Sequence, residues 1–275
     1  MAKREKPLAL GMDFGKAMQR FAKTDSKQTD ASQAGVGGSL IAKLTLPQGW
    51  GVSIDNILEQ GNVRMDAEHY DPRIMRNMQL LTGSRHDLVP LSDLADVNLP
   101  TMFTRIWADD AEHGYPYLNA TDLMSFGALG VPAQVRFLSK ASNVKIEPLI
   151  LKEGMILVTC SGTIGRVFEV PKELDGWVGT HDIVRISPHD PKMKGYIRAY
   201  LASAFAQTQI LSHTHGGQID HITAQQVESC LVPKIGDNRM KSISAEMDEA
   251  QQMQQKAAAM MKAAMLDIKE VIEDA

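Results

Sequence analysis

Between residues 85 and 235 short apolar runs alternate with glycine and proline. Four of these runs, at 135–138, 155–159, 166–170 and 183–186, have the length and β-branched content of strands. One stretch departs from that pattern. Ile197, Leu201, Phe205 and Ile210 recur at helical spacing, which predicts a single helix over about 193–212. A shorter helix is predicted from Asp71 through DPRIMRNMQLL, because an Asp-Pro pair opens it. From about residue 237 the chain has no glycine or proline and is rich in Ala, Met, Glu, Gln and Lys, the composition of one long helix. At the other end, an amphipathic piece over 8–21 runs into TDSKQTDASQAGVGG, too polar and glycine-rich to build a core, so residues 1–45 are expected to form a flexible arm. Apolar residues gather again over 44–81, with a turn at 47–50. The expected fold class is α+β: a mixed, mostly β domain over 46–236, followed by a coiled-coil-type helix over 237–275.

That helix carries a seam. Ile243, Met247, Ala250, Gln254, Ala257, Met261, Ala264, Ile268 and Val271 step by four and three, the a/d spacing of a coiled coil, with Gln254 as a polar intruder. About 35 residues at 1.5 Å each reach about 50 Å, more than a domain of this size covers. The stripe therefore calls for a helix from another chain, or for folding back onto residues 50–80.

Charge and cysteine content narrow the function classes. The 275 residues carry a formal charge of −4, which gives no indication of nucleic acid and argues against broad phosphate binding by this chain alone. Basic residues slightly exceed acidic ones up to about residue 84, so the arm either touches DNA or is a plain solvated tail. No apolar run approaches the roughly 20 residues that span a bilayer, and the N-terminal residues are charged and polar, so a cytoplasmic protein without a membrane role is expected. Cys160 and Cys230 each sit in an apolar strand-like run, as buried reduced thiols do.

The densest chemical signal is LVTCSGTIGRVFEV, residues 157–170. It lacks the spacing and the lysine of a phosphate-binding loop, and it lacks the glycine two places before the serine that a nucleophile elbow requires. It does fit a hairpin corner whose glycines take positive φ. Either the corner is structural only, or it also presents Ser161, Thr163 and Arg166 to a ligand. SHTHGGQIDH, residues 212–221, groups His213, His215 and His221 around Gly216 and Gly217 without a CxxC or HExxH partner set, so a metal site is weakly signalled. An ordinary polar loop and a loop facing a polyanion or base edge both remain open there. His181 and Asp182 pass for half of a catalytic dyad, but no nucleophile accompanies them. DPR at 71–73 is not the (N/D)PP(Y/F) motif of an amino-methyltransferase, and no glycine-rich nucleotide fingerprint follows a strand. No catalytic residue or cofactor is signalled and the metal signal is weak, with no sign of a methylase or a nuclease, so a non-catalytic chain is expected.

Several segments in this order carry a resemblance: LVPLSDLADV (88–97), GYPYLNATDL (114–123), FLSKAS (137–142), LKEGMILVTCSGTIGRVFEVP (151–171), VGTHDIVRISP (178–188), YIRAYLASAFAQTQI (196–210) and GGQIDHITAQQVESCLVPKI (216–235). Together they resemble the target recognition domain of type I restriction-modification specificity subunits, and the last four are the most specific. The long C-terminal helix is similar to that family's spacer helix. A full specificity subunit carries two recognition domains and two spacers, whereas this chain shows one of each. The resemblance therefore implies a half-subunit that pairs with its own copy or with another specificity chain.

Further implications follow from the same resemblance. Double-stranded DNA is the ligand, adenine methyltransferase (modification) subunits are partners, and a restriction or translocase subunit is a further possible member of a phage-defence complex. The implied DNA-contacting positions are Arg105 and Trp107 in NLPTMFTRIW, Arg136, Lys140, Ser161, Thr163, Arg166, His213, His215 and Gln218. Ile243, Met247, Ala250, Ala257, Met261, Ala264, Ile268 and Val271 are the implied partner-helix contacts. The competing expectations are a protein-binding adapter built on the same scaffold and a histidine-loop metalloenzyme.

Overall fold

The computed structural model describes residues 51–59, 71–129, 135–212 and 221–273, so the expected arm at 1–45 and the histidine loop at 213–220 lie outside the described residues. The chain divides into a unit ending at Pro72 and a unit from Arg73 onward. In the first unit the described element is helix α1 (Ile54–Glu59).

The second unit, after helix α2 (Pro72–Thr82), is built on short strands. In chain order these are β1 (Asp87–Pro90), β2 (Ala95–Asn98), β3 (Trp107–Ala108), β4 (Gly114–Leu118), β5 (Arg136–Ser139), β6 (Ile156–Thr159), β7 (Val167–Glu169), β8 (Val178–Gly179), β9 (Ile183–Pro188) and β10 (Leu231–Lys234). Helix α3 (Ala120–Leu129) follows β4, α4 (Lys194–Ala202) and α5 (Ala204–Ser212) follow β9, and α6 (Ala224–Glu228) and α7 (Asp237–Glu273) flank β10. Among the described residues the strands form two four-stranded sheets, ordered β2-β9-β6-β7 and β3-β5-β4-β8, and a ribbon of β1 with β10. Every pairing is antiparallel except β4 with β8. The fold class is the expected one, a sheet-rich α+β domain followed by a long helix.

Strand β6 explains why its stretch reads as a continuous apolar run rather than an alternating one: all four residues are buried. Ile156 and Val158 join Val184, Ile186, Ile197, Leu201 and Ile210 in the larger core cluster, on the helical side of the sheet. Leu157 points the other way, into a cluster with Leu118, Leu123, Leu151, Val170, Leu174 and Ile183. Covering both faces of one sheet ties the two sheets together through Leu118 of β4. Cys160 and Cys230 are buried free thiols, and burial pushes each up to about 12, so neither is a thiolate at neutral pH.

The single helix predicted over 193–212 is two helices. Ser203 adopts extended backbone between them (φ −74°, ψ 157°), and its carbonyl accepts from the Gln207 N–H at 3.0 Å, the first turn of the second helix. The break leaves Phe205 partly exposed and buries Ala206, Thr208 and Gln209 beside Ile210. It also aims two side chains at one backbone position. The Tyr200 hydroxyl and the Gln209 amide both donate to the Leu231 carbonyl, while the Leu231 N–H donates to Gln209 Oε1 at 2.8 Å. These bonds and the Tyr196 hydroxyl on the Pro233 carbonyl anchor α4 and α5 to β10.

The first turns of α7 pack against α4 of the same domain. Met240, Ser244 and Gln251 are buried, and Ile243, expected on the partner-helix seam, packs against the larger core cluster of its own chain. Gly195 sets the approach: its N–H donates to Ser244 Oγ at 3.0 Å, and a Cβ there would stand 2.3 Å from the Ser244 carbonyl oxygen and 2.8 Å from its Cα. Backbone atoms cannot swing aside. Gly195→Ala would ordinarily gain up to about 1 kcal/mol of helix propensity. Here overpacking dominates, and a net loss of about 1–3 kcal/mol is expected in chemical denaturation.

Candidate nucleic-acid interface

The glycine corner is a tight β6–β7 connection. Gly162 and Gly165 hold φ of 70° and 83°, the left-handed region that glycine enters without steric cost. Thr159 organises the corner: its hydroxyl donates to the Thr163 carbonyl at 2.5 Å and accepts the Arg166 N–H at 3.0 Å, and its carbonyl accepts the Gly165 N–H at 3.0 Å. From α5, Gln207 donates to the Gly165 carbonyl at 2.8 Å. Thr163 and Arg166 are exposed on this braced corner and Ser161 is half-buried. Ser161 forms a β-bridge with His221, so the corner lies beside the chain at His221.

A second group sits on the other sheet. Residues 102–106 alternate in exposure: Phe103 and Arg105 turn inward, while Met102, Thr104 and Ile106 face solvent. Trp107, on β3, stands edge-on to Tyr117 with ring centroids 5.2 Å apart, and the Arg136 guanidinium lies over the Trp107 ring at 5.4 Å. Arg136 and Tyr117 are register partners on β5 and β4, which places both side chains on one sheet face. Lys140 lies 5.8 Å from the Tyr115 ring centroid and donates to the Glu112 carbonyl at 2.6 Å. An acidic turn borders this group, where Asp110 accepts the His113 backbone N–H at 2.9 Å.

Arg105 is drawn inward. Its Nε donates to the Tyr117 hydroxyl at 2.8 Å, and its Nη2 reaches Thr180 Oγ1 at 3.1 Å and Asp182 Oδ2 at 3.4 Å. The Thr180 hydroxyl also donates to Asp182 Oδ2, at 3.1 Å. Asp182 then links the two groups, because its backbone carbonyl accepts the Cys160 N–H at 3.2 Å, at the root of the glycine corner. Beneath this turn Arg185, 2% exposed, donates to the carbonyls of Ile183, Leu149, Gly179 and Thr180. Burial lowers Arg185 to about 10, still protonated at neutral pH. Burial also holds His181 below the usual histidine range; Asp182 opposes that shift, and the Arg105 and Arg185 charges reinforce it, so the ring is neutral at pH 7.

Of the ten DNA-contacting positions expected from sequence, Arg105, Trp107, Arg136 and Lys140 therefore group on one sheet, and Ser161, Thr163 and Arg166 on the other. His213, His215 and Gln218 lie outside the described residues. The contribution of Tyr115, Tyr117, Thr180 and Arg185 was missed. Each reads as ordinary strand or turn content, and only the pairing of β4 with β5 and β8 brings them under the arginines. Among the described residues, no three His, Cys, Asp or Glu side chains are grouped to hold a metal ion.

Residues 86–233 match the family described as the type I restriction modification DNA specificity domain. The match covers more than half of the 275 residues, and the chain belongs to this family. No curated protein matches the chain.

Among solved structures, the chain is similar to the S subunit of the type I restriction-modification system from M. genitalium at 14% identity, with a TM-score of 0.36 and coverage of 59% of this chain and 38% of that one. It is similar to the HsdS subunit from Thermoanaerobacter tengcongensis at 17% identity, with a TM-score of 0.43 and coverage of 71% and 46%. A chain of a type I R-M system solved to describe complex assembly and conformational transition is similar at 15% identity, with a TM-score of 0.46 and coverage of 79% and 53%. The chain thus spans between 38% and 53% of the length of these proteins. Among the described residues no helix is long and apolar enough to cross a membrane.

Proposed function

We propose that the chain is a sequence-reading subunit of a type I restriction-modification or related phage-defence methylation complex in the cytoplasm, itself non-catalytic, that directs adenine methyltransferase subunits to a DNA target. The match to the specificity-domain family over residues 86–233 carries this reading. The geometry supports it: Asp182 links two loop groups at the junction of the sheets, and exposed Trp107, Arg136, Lys140, Thr163 and Arg166 project from them on braced backbone. With a chain charge of −4, few phosphate contacts come from this subunit, and modification subunits closing on the duplex supply most of the positive surface. A restriction or translocase subunit joins the same assembly where cleavage accompanies methylation. The domain over 46–236 does the reading, and the helix over 237–275 docks a second specificity chain.

A pool of random duplexes, bound by the chain alone and by the chain co-expressed with an adenine methyltransferase subunit, tests this reading. One enriched DNA word is the expected result. Arg136→Ala is expected to cost roughly 1–3 kcal/mol at one position of that word if the guanidinium reads a base edge. An equal fall for every sequence makes Arg136 a phosphate contact. No enrichment with or without the methyltransferase sinks the DNA-reading function and favours the adapter.

A further inference from the structure

We propose that Arg105 is a positioning residue that sets the relative placement of the two loop groups and does not itself read a base; the assignment rests on the DNA-reading function proposed above. Two of the three guanidinium nitrogens are committed to the domain itself, Nε to Tyr117 on β4 and Nη2 to Thr180 and Asp182 on the turn before β9. A guanine contact uses two parallel N–H donors from one fork. The fork edge that pairs Nε with Nη2 is already occupied, and the plane of the group is fixed by a strand on one side and a turn on the other.

What Arg105 holds explains why its contacts matter. On its own segment it pins the alternation that turns Met102, Thr104 and Ile106 outward and sets the start of β3, where Trp107 stands against Tyr117. On the far side it fixes the Asp182 carboxylate, which also accepts the Thr180 hydroxyl, while the Asp182 backbone accepts from Cys160 immediately before Ser161. Trp107 and Arg136 on one sheet, and Ser161, Thr163 and Arg166 on the other, are thereby kept in one register. The guanidinium supplies divergent donors in a rigid plane, whereas an ammonium offers a point charge on a flexible stem, so lysine preserves the charge and loses the clamp.

The experiment compares Arg105→Lys, Asp182→Asn and the double variant with wild type in two measurements. Amide hydrogen exchange on the full chain is expected to run roughly tenfold faster at Cys160 and Gly165 in Arg105→Lys, with the β6 amides of Ile156 and Val158 unchanged, because only the corner loses its brace. Unaltered exchange at the corner overturns the clamp whether or not the chain reads DNA. In random-duplex selection with the methyltransferase partner, Arg105→Lys is expected to flatten preference at several positions of the word. Asp182→Asn is expected to do the same, and the double variant to be no worse than either single one, since both break one linkage. Loss at a single base position, or full rescue by lysine, overturns the assignment in favour of a base or phosphate contact. If wild type selects no word, the DNA-reading function fails on its own, and the exchange measurement still decides the clamp.

Discussion

Replacing Glu169 with alanine is expected to cost about 3 kcal/mol and to lower the melting temperature by roughly 6–12 °C, one of the largest stability losses available to a single side chain here. Glu169 ends β7 with its side chain 6% exposed, and it takes Lys194 Nζ at 2.7 Å on one oxygen and Arg198 Nη1 at 3.2 Å on the other. Both cations come from α4, and Lys194 also reaches Asp248 of α7 at 3.3 Å. One carboxylate therefore joins the sheet edge, the helix on its face and the base of the long helix. Truncation leaves Arg198, 14% exposed, without its carboxylate, which is why the loss exceeds that of a surface pair. The figure sits at the low end for a buried pair because Lys194 keeps Asp248. A melting curve that moves by less than 2 °C would show that the desolvation cost of this cluster already cancels its attraction.

The pH dependence separates the ionic part from packing. Burial works to lower Lys194, but the hydrogen bond and charge of Glu169 and the charge of Asp248 outweigh it, and the ammonium titrates above its ordinary value of 10.5. A base raised on folding contributes stability that is full below its unfolded value and disappears as pH rises through the folded one. The Lys194 contribution is therefore intact at pH 7 and declines only above about pH 10.5. In Glu169→Ala that alkaline decline should be smaller than in wild type, because the main source of the raised value is gone.

How much was legible in the sequence depended on whether the deciding forces were local. The glycine corner is a local matter, set by β-prone flanks and two residues free to take positive φ, and it stands where LVTCSGTIGRVFEV places it. The break at Ser203 is not local. Helical spacing runs through it from Ile197 and Leu201 to Phe205, and only the shared anchoring of Tyr200 and Gln209 on β10 accounts for the change of direction. Arg105 shows the same limit at the site. A single arginine in an irregular run signals a groove contact as readily as an internal clamp, and its role turns on Tyr117 and Thr180, brought side by side by the parallel pairing of β4 with β8. The seam of α7 was legible as a period but not as an address, since the same a/d spacing serves the domain's own core at Ile243.

That division makes the outer part of α7 the place for the second large effect. Toward its C-terminal end α7 turns apolar side chains to solvent: Met261 is 39% exposed, Ile268 62% and Val271 72%, with Met260, Met265, Leu266 and Ile272 also open. An apolar stripe of this kind along a helix is stable when another helix covers it. If the second specificity chain proposed above is a copy of this one, Ala257, Met261, Ala264, Ile268 and Val271 would meet their counterparts, and by two-fold symmetry the pair would read an inverted repeat. Met261→Glu with Ile268→Glu is then expected to weaken self-association by roughly a hundredfold, equivalent to about 2.7 kcal/mol, because two carboxylates per chain would have to leave water at the seam. The melting temperature of the sheet domain should stay where it is, since neither residue belongs to its core clusters. Ile243→Glu should do the reverse and unfold the domain, because that position packs on its own core. Sedimentation of wild type at the 30.2 kDa of one chain, unchanged in the double variant, would remove the helix from the assembly interface and leave its stripe to a different partner chain.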